Sequence, residues 1–186
     1  MKDKEKDKIK VTFPGGAATG VTGSMHHIVG QGVNVLLDCG GVQHNNIKKD
    51  YLDNIAKFDF NVRDLQCVII SHLNYDHQSR LPLLYKRGFT GNTYITKGSY
   101  QFLQDMLVDS ARINLRNSKA LSKQLNKEYP PAYTEDEVPA IMSHVIEVPI
   151  GAMVELDDNF KFQFLGAGHI ILSAQIVLYI GKTVIG

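Results

Sequence analysis

Residues 71–82 read Ser-His-Leu-Asn-Tyr-Asp-His-Gln-Ser-Arg-Leu-Pro, and this stretch decides the fold. It follows an apolar run, residues 67–70, whose composition predicts a short buried strand. His72, Asp76 and His77 would then share one loop at the carboxyl end of that strand. Two imidazoles and a carboxylate suit zinc or another borderline divalent ion. Because Asp76 and His77 are neighbours and must point in different directions, they could serve a different metal position from His72. The stretch therefore favours metal-assisted hydrolysis.

Apolar periodicity and turn residues predict strands and helices on both sides of this stretch. Strands are expected at residues 9–13, 93–96, 152–156 and 160–165, with hairpins over residues 27–37 and 176–185. Helices are expected around residues 51–58, at 81–87 with a proline in the first turn, and at 99–128, where the prolines at 130 and 131 would end the helix. A capping box of Thr134 and Glu137 predicts a further short helix.

Three more segments carry recognisable motifs. Residues 16–27 read Gly-Ala-Ala-Thr-Gly-Val-Thr-Gly-Ser-Met-His-His, residues 37–41 read Leu-Asp-Cys-Gly-Gly, and residues 165–174 read Leu-Gly-Ala-Gly-His-Ile-Ile-Leu-Ser-Ala. Together with residues 71–82 they resemble, in order and spacing, the motifs of the metallo-β-lactamase superfamily and of its RNA-processing branch, called β-CASP. Residues 133–138 also resemble a linker common in these proteins. The resemblance extends over residues 10–186.

The resemblance implies an α/β fold. We expect the N-terminal half of a metallo-β-lactamase αββα sandwich, with a mixed, mainly antiparallel sheet and flanking helices. Residues 1–8 are expected to form a flexible charged tail, and residues 9–186 an incomplete metallo-β-lactamase-like domain.

The resemblance also implies two zinc sites. His72 and His169 would hold one metal ion, and Asp76 and His77 the other, with Asp76 also positioning the attacking water. Asn74 occupies a position where the family has a histidine. It would be a weak ligand, a hydrogen-bonding substitute for that histidine, or a relic of a lost ligand position, and the relic is the favoured interpretation. The family's bridging aspartate and final histidine would follow residue 186.

Asp38 follows a predicted strand and admits two interpretations. By resemblance, its carboxylate would lie near the metal loop and orient a ligand histidine. Alternatively, it simply forms the turn that precedes Cys39 and two glycines. A further departure from the family lies at Leu172, where glycine is usual. Ser24 and Ser173 are expected to bond backbone groups.

Composition sets limits on the partners of the chain. Its 186 residues are 44% hydrophobic and 21% charged, with a net charge of +1, as in an ordinary globular protein. No apolar run approaches the roughly 18 residues of a membrane helix, so no membrane partner is expected. Two cysteines in apolar runs are expected to be buried free thiols, which fits a reducing cytoplasm.

A basic stretch lies within the longest predicted helix. Arg112, Arg116 and Lys119 are spaced by threes and fours, so they share one helical face, as an RNA-contacting surface requires. The alternative is a face that is merely solvated.

The leading hypothesis is the N-terminal part of a β-CASP-type ribonuclease that hydrolyses RNA phosphodiester bonds with two metal ions, the chain alone being inactive. A catalytically inactive scaffold of an RNA-processing complex is the second hypothesis, favoured by Asn74 and Leu172. A metallo-hydrolase of another ester is the third. If the last strand lacks its usual neighbours, its exposed edge also predicts self-association.

Overall fold

Two sheets and five helices make up the part of the chain that the structure describes. The computed structural model describes residues 8–16 and 20–186. The predicted charged tail therefore lies outside the described residues except for Lys8, as do residues 17–19 of the glycine-rich motif. The strands are β1 (Lys10–Thr12), β2 (His26–Gly30), β3 (Val33–Leu37), β4 (Cys67–Ile69), β5 (Asn92–Thr96), β6 (Val145–Val148), β7 (Met153–Asp157), β8 (Phe160–Gly166), β9 (Ala174–Ile180) and β10 (Thr183–Ile185). The helices are α1 (Ile47–Ile55), α2 (Tyr75–Gln78), α3 (Leu81–Lys86), α4 (Tyr100–Leu125) and α5 (Val138–Met142).

The first sheet has the strand order β1-β2-β3-β4-β5-β6. Its first three strands are antiparallel, and β3 to β6 are parallel to one another. The β2–β3 hairpin turns through Gln31 and Gly32, both with positive φ, at 53° and 83°. Such a turn matches the twist of the flanking strands, which explains the glycine there. The parallel arrangement brings the carboxyl ends of β3, β4 and β5 to one edge of the sheet.

The second sheet is antiparallel throughout, in the order β10-β9-β8-β7. Alternate residues of β8, Phe160, Phe162 and Phe164, are fully buried. They pack against Ile69 and Tyr94 of the first sheet, so the two sheets face each other across an apolar core. The outer face of this sheet is exposed at Leu165, Val184 and Met153.

The helices cover the other face of the first sheet. Leu36, Val68 and Ile95 alternate with the residues that face the second sheet, and they pack against Leu103 and Leu107 of α4. The expected α/β fold, with a mixed sheet and flanking helices, is therefore confirmed. The strand pairs are mainly antiparallel, but the sheet that carries the motif loops is parallel where those loops begin.

Two sequence-based expectations need correction. β6 was not predicted, although it extends the first sheet by pairing with β5. Helix α4 ends at Leu125, before the prolines that were expected to stop it, because Asn126 takes a left-handed conformation (φ 47°) and its N–H bonds to the carbonyl of Ser122. No helix in residues 8–16 and 20–186 has the length and apolar character needed to cross a bilayer.

Replacing Phe162 with alanine should lower the free energy of unfolding by about 3–5 kcal/mol, because it empties the centre of the inter-sheet core. Leu165→Ala is the matched control, since Leu165 lies on the exposed face of the same strand; it should cost below about 1 kcal/mol. Urea denaturation measures both. Equal losses would contradict the facing of the two sheets.

Candidate metal centre

The carboxylate of Asp38 joins the loops at the carboxyl ends of β3 and β4. Asp38 is 4% exposed. Its Oδ1 accepts a hydrogen bond from the backbone N–H of Ser71 at 2.8 Å. Its Oδ2 accepts from the hydroxyls of Ser24 and Ser71, each at 3.0 Å, and lies 2.7 Å from Nδ1 of His77. Four donors thus satisfy a buried carboxylate that would otherwise be costly to desolvate.

The turn formed by residues 38–41 is also bound to α2 through the backbone. The N–H of Cys39 donates to the carbonyl of His77 at 2.8 Å, and the carbonyl of Cys39 accepts from the N–H of Arg80 at 2.9 Å. Gly40 lies so close that a Cβ there would be 1.6 Å from the carbonyl oxygen of Asp76. Only glycine permits this approach, which explains the glycine of the Asp-Cys-Gly motif.

The hydrogen-bond network assigns the tautomer of the neutral His72 ring. The Ser71 hydroxyl has one proton, and the geometry directs it to Asp38. It can therefore only accept from Nδ1 of His72, 3.0 Å away, which assigns the proton of the neutral imidazole to Nδ1. Nε2 of His72 then carries a free lone pair. This atom is buried and has no hydrogen-bond partner.

Three imidazole rings meet at this point. The ring centroid of His72 lies 3.8 Å from that of His77 and 5.0 Å from that of His169. Nε2 of His77 lies 3.6 Å from Oδ2 of Asp76. The structure therefore brings together four of the residues singled out in the sequence, His72, Asp76, His77 and His169, from two segments almost a hundred residues apart.

The two half-buried imidazoles of His72 and His77 have opposite pKa shifts. Burial lowers the pKa of His72, and the neighbouring His77 lowers it further. Burial also disfavours the charged form of His77. There, however, the hydrogen bond and negative charge of Asp38, with the charge of Asp76, more than offset it, so the pKa of His77 is raised.

Asn74 precedes α2 as its N-cap residue, but its side chain makes no capping hydrogen bond. Its backbone carbonyl accepts from the N–H of His77 at 2.9 Å. The side chain is thus held by no helix-capping contact, and an amide oxygen is the best metal donor it could offer. Asp76 lies in the first turn of α2.

The residue types at this centre fit a divalent cation, since two further imidazole rings and the carboxylate of Asp76 lie near a buried nitrogen without a partner. Within residues 8–16 and 20–186, however, no three His, Cys, Asp or Glu side chains converge on one point as a complete binding set. Imidazole at position 74 would add the donor that the first position lacks.

The segment that carries His169, residues 167–173, is held by Ser173. Its hydroxyl accepts from the N–H groups of His169 and Ile170, at 3.2 and 3.1 Å, and donates to the carbonyl of Ile170. Ser173 therefore bonds backbone groups as expected. Ser24 differs, because its hydroxyl donates to the Asp38 carboxylate.

Leu172 has a φ of 62°, a left-handed conformation that a branched side chain adopts only at a cost. The position where the family usually has glycine is thus one that glycine suits best. The Leu172 carbonyl accepts from the hydroxyl of Thr96 at 2.7 Å, which secures the strained residue to the end of β5.

The basic residues are not gathered at the centre but lie along α4. Arg112, Arg116 and Lys119 are all exposed. Arg112 forms an ion pair with Glu135 at 2.9 Å. Arg116 and Lys119 have no acidic partner within ion-pair distance in the part of the chain that the structure describes.

Both cysteines are free and buried, as expected. Burial raises the pKa of the Cys39 and Cys67 thiols to about 12. They are therefore protonated at neutral pH and are not metal-ligating thiolates.

Sequence reasoning missed Ser71 and the fourfold pairing of Asp38. The bonds between them join residues 33 apart in the chain. Asp38 lies in the turn with a φ of 57° and also contacts His77, a candidate ligand. Its role in orienting a metal ligand stays a prediction.

This combination of fold and motifs defines a class of protein. A family model described as the metallo-beta-lactamase superfamily matches residues 18–163. The chain belongs to this superfamily, and membership implies binding of a divalent metal ion. A metallo-beta-lactamase fold protein, YhfI from Bacillus subtilis, has a similar structure, with a TM-score of 0.56 at 17% identity over 96% of this chain and 61% of that one.

Curated relatives narrow the class. The chain is 29% identical to Ribonuclease TTHA0252 of Thermus thermophilus over 88% of its length, and 28% identical to Transcription termination factor FttA of Methanocaldococcus jannaschii over 94%. It is 27% identical to Integrator complex subunit 11 of Danio rerio over 94%. These matches confirm the resemblance to the β-CASP branch. The chain spans 34%, 25% and 28% of the length of these three relatives.

Replacing Asp38 with asparagine should lower the pKa of His77, because it removes the negative charge that favours the imidazolium form. The titration of the His77 ring in the metal-free chain, followed by NMR, measures this. Asp53→Asn is the matched control. Oδ2 of Asp53 lies 2.7 Å from Nε2 of His44, and this pair is not part of the candidate centre. An unchanged titration of His77 in Asp38→Asn would contradict the assigned hydrogen bond.

Leu172→Gly should be more stable than Leu172→Ala by about 1–2 kcal/mol. Both variants remove the branched part of the side chain, but only glycine also removes the Cβ that strains the left-handed backbone. Thermal unfolding of the two variants provides the comparison. The same pair of substitutions at Leu165, in extended strand β8, should give the opposite order. If alanine is the better residue at 172 as well, the backbone there is not strained.

Proposed function

We propose that this chain is the N-terminal part of a metal-dependent hydrolase that cleaves RNA phosphodiester bonds, with zinc as its metal. The observation that carries the proposal is the buried Nε2 of His72, which has a free lone pair and no partner, beside the rings of His77 and His169. An imidazole nitrogen held in this way is arranged as a metal ligand is.

The contacts support a division of roles. His72 and His169 would hold one metal ion, with Asn74 as a weak third donor. Asp76 and His77 would hold the other. Asp38 accepts from Nδ1 of His77 and so directs Nε2 of that ring toward Asp76.

A bound divalent ion would supply a more acidic water and a positive charge beside the reacting phosphate. Asp76, the acid at the edge of the centre, would accept a hydrogen bond from the attacking water.

RNA as the substrate is supported by the ribonuclease among the relatives. It is also supported by Arg116 and Lys119 on α4, which are exposed and have no acidic partner within residues 8–16 and 20–186. Arg112 contributes less, because Glu135 already neutralises it. We also place the protein in the cytoplasm, where free buried thiols remain reduced. Pairing of β10 with a second copy stays a prediction; in the described residues β10 has β9 as its only strand neighbour.

Asn74→His should tighten zinc binding by at least about tenfold, since imidazole replaces an amide in the coordination position, and even changes to groups behind the ligands alter affinity by 10–100-fold. His72→Ala should abolish binding at the same site. Isothermal titration with zinc, with the bound metal counted by mass spectrometry, measures both.

Asn92→His is the matched control, because Asn92 begins β5 at the opposite end of the sheet. It should leave zinc affinity unchanged. If neither the native chain nor Asn74→His binds zinc, manganese or iron, the hydrolase proposal fails and an inactive scaffold becomes the better account. If zinc binds and His72→Ala binds it equally well, the assigned ligands are wrong.

A further inference from the structure

An apolar pocket lies directly beside the candidate metal centre. Its volume is about 170 Å³, and the metal-ligand segments form two of its walls. Leu73 and Asn74 lie between His72 and Asp76, whereas Ile171 and Leu172 follow His169. The third wall is the first turns of α4. Any group bound in this pocket is therefore adjacent to the reacting centre.

The third wall presents an aromatic ring to solvent. Phe102 is 57% exposed, and Ile171, which also lines the pocket, is 85% exposed. Large apolar side chains exposed together in one concave site are typical of ligand contact surfaces. The volume is close to that of a cavity of roughly 150 Å³ that accepts a benzene ring. The pocket therefore has room for one flat ring system, and a packed helix or strand would not fit.

Charge on the same helix indicates what carries that ring. Arg116 follows Phe102 by fourteen residues, which places it within about 40° of the same helical face and roughly 21 Å further along the axis. Lys119 lies one turn beyond. Neither has an acidic partner in the described part of the chain. A flat apolar group joined to a run of negative charge complements this surface.

We propose that the pocket is a base-stacking subsite, in which Phe102 stacks on one unpaired nucleobase of single-stranded RNA while Ile171 and Leu172 contact its other side. This inference rests on the proposed ribonuclease function and adds a substrate contact to it. Stacking on an aromatic ring accepts any base, because each base has an apolar face. Leu172, the residue with the left-handed conformation, also lines the pocket.

The test compares two RNA probes of equal charge. One is a fluorescein-labelled decamer of uridines, and the other is the same decamer with every base removed. Fluorescence anisotropy at one fixed salt concentration gives the dissociation constant of the full chain for each probe. Phe102→Ala should weaken binding of the uridine decamer by about tenfold or more and change binding of the abasic decamer by less than about twofold. Phe102→Trp should retain the affinity for the uridine decamer.

Leu125→Ala is the matched control. Leu125 is a partly exposed apolar residue, 38% exposed, at the other end of the same helix, about 35 Å away. It should leave the affinity for both probes unchanged. Because Phe102 is mostly exposed, its replacement leaves the core intact, which circular dichroism verifies.

Each contrary result has a distinct meaning. If the native chain binds both probes and Phe102→Ala weakens both equally or neither, the stacking subsite is wrong and the ribonuclease proposal stands. If the native chain binds neither probe at low salt, both proposals fail for this chain. If Phe102→Ala abolishes self-association in sedimentation velocity and leaves RNA affinity unchanged, the pocket is a contact between two copies of the chain and not a nucleotide subsite.

Discussion

The hydrogen bonds to one buried carboxylate hold the candidate centre together. The hydrogen-bond donors to Asp38 come from distant parts of the chain. Ser24 precedes it by 14 residues, and Ser71 and His77 follow it by 33 and 39. A buried carboxylate restricts the conformation of the loops around it, because each missing hydrogen-bond donor would cost free energy in a low-dielectric interior. The loops after β3 and β4 must therefore meet in this one arrangement. The orientation of both histidine rings follows from it.

The segment after the ligand loop is anchored just as firmly. Arg80 and Arg87 donate to the carbonyl of Ala56, each at 2.7 Å, and thus bind the carboxyl end of α1, where carbonyls lack helical partners. Both guanidinium groups also lie over the ring of Phe58. The residues between Asp38 and these arginines are therefore held at both ends. A short helix of four residues can keep a fixed orientation only under such restraint.

Local patterns predicted much of this fold and part of the centre. The strand ending at Ile69, the ligand loop and the glycine hairpin follow from apolar runs and turn residues that act over a few positions. β6 was not predicted because its four residues show no clear alternation of apolar and polar side chains. They gain their strand partner only through parallel pairing with β5. The bonds of Ser71 to Asp38 depend on tertiary approach, which no local pattern encodes. The conformation of Leu172 was signalled only by the family's glycine, whereas the metal-ligand roles remain predictions.

The buried thiol of Cys39 can report local opening of the candidate centre. Cys39 lies in the 38–41 turn, and its backbone N–H and carbonyl both bond to the α2 segment. Its sulfur is inaccessible and protonated in the closed structure, so an alkylating reagent can reach it only when the turn separates from α2. The rate of alkylation at Cys39 thus measures how often the loops around Asp38 separate, and the measurement needs no metal or substrate.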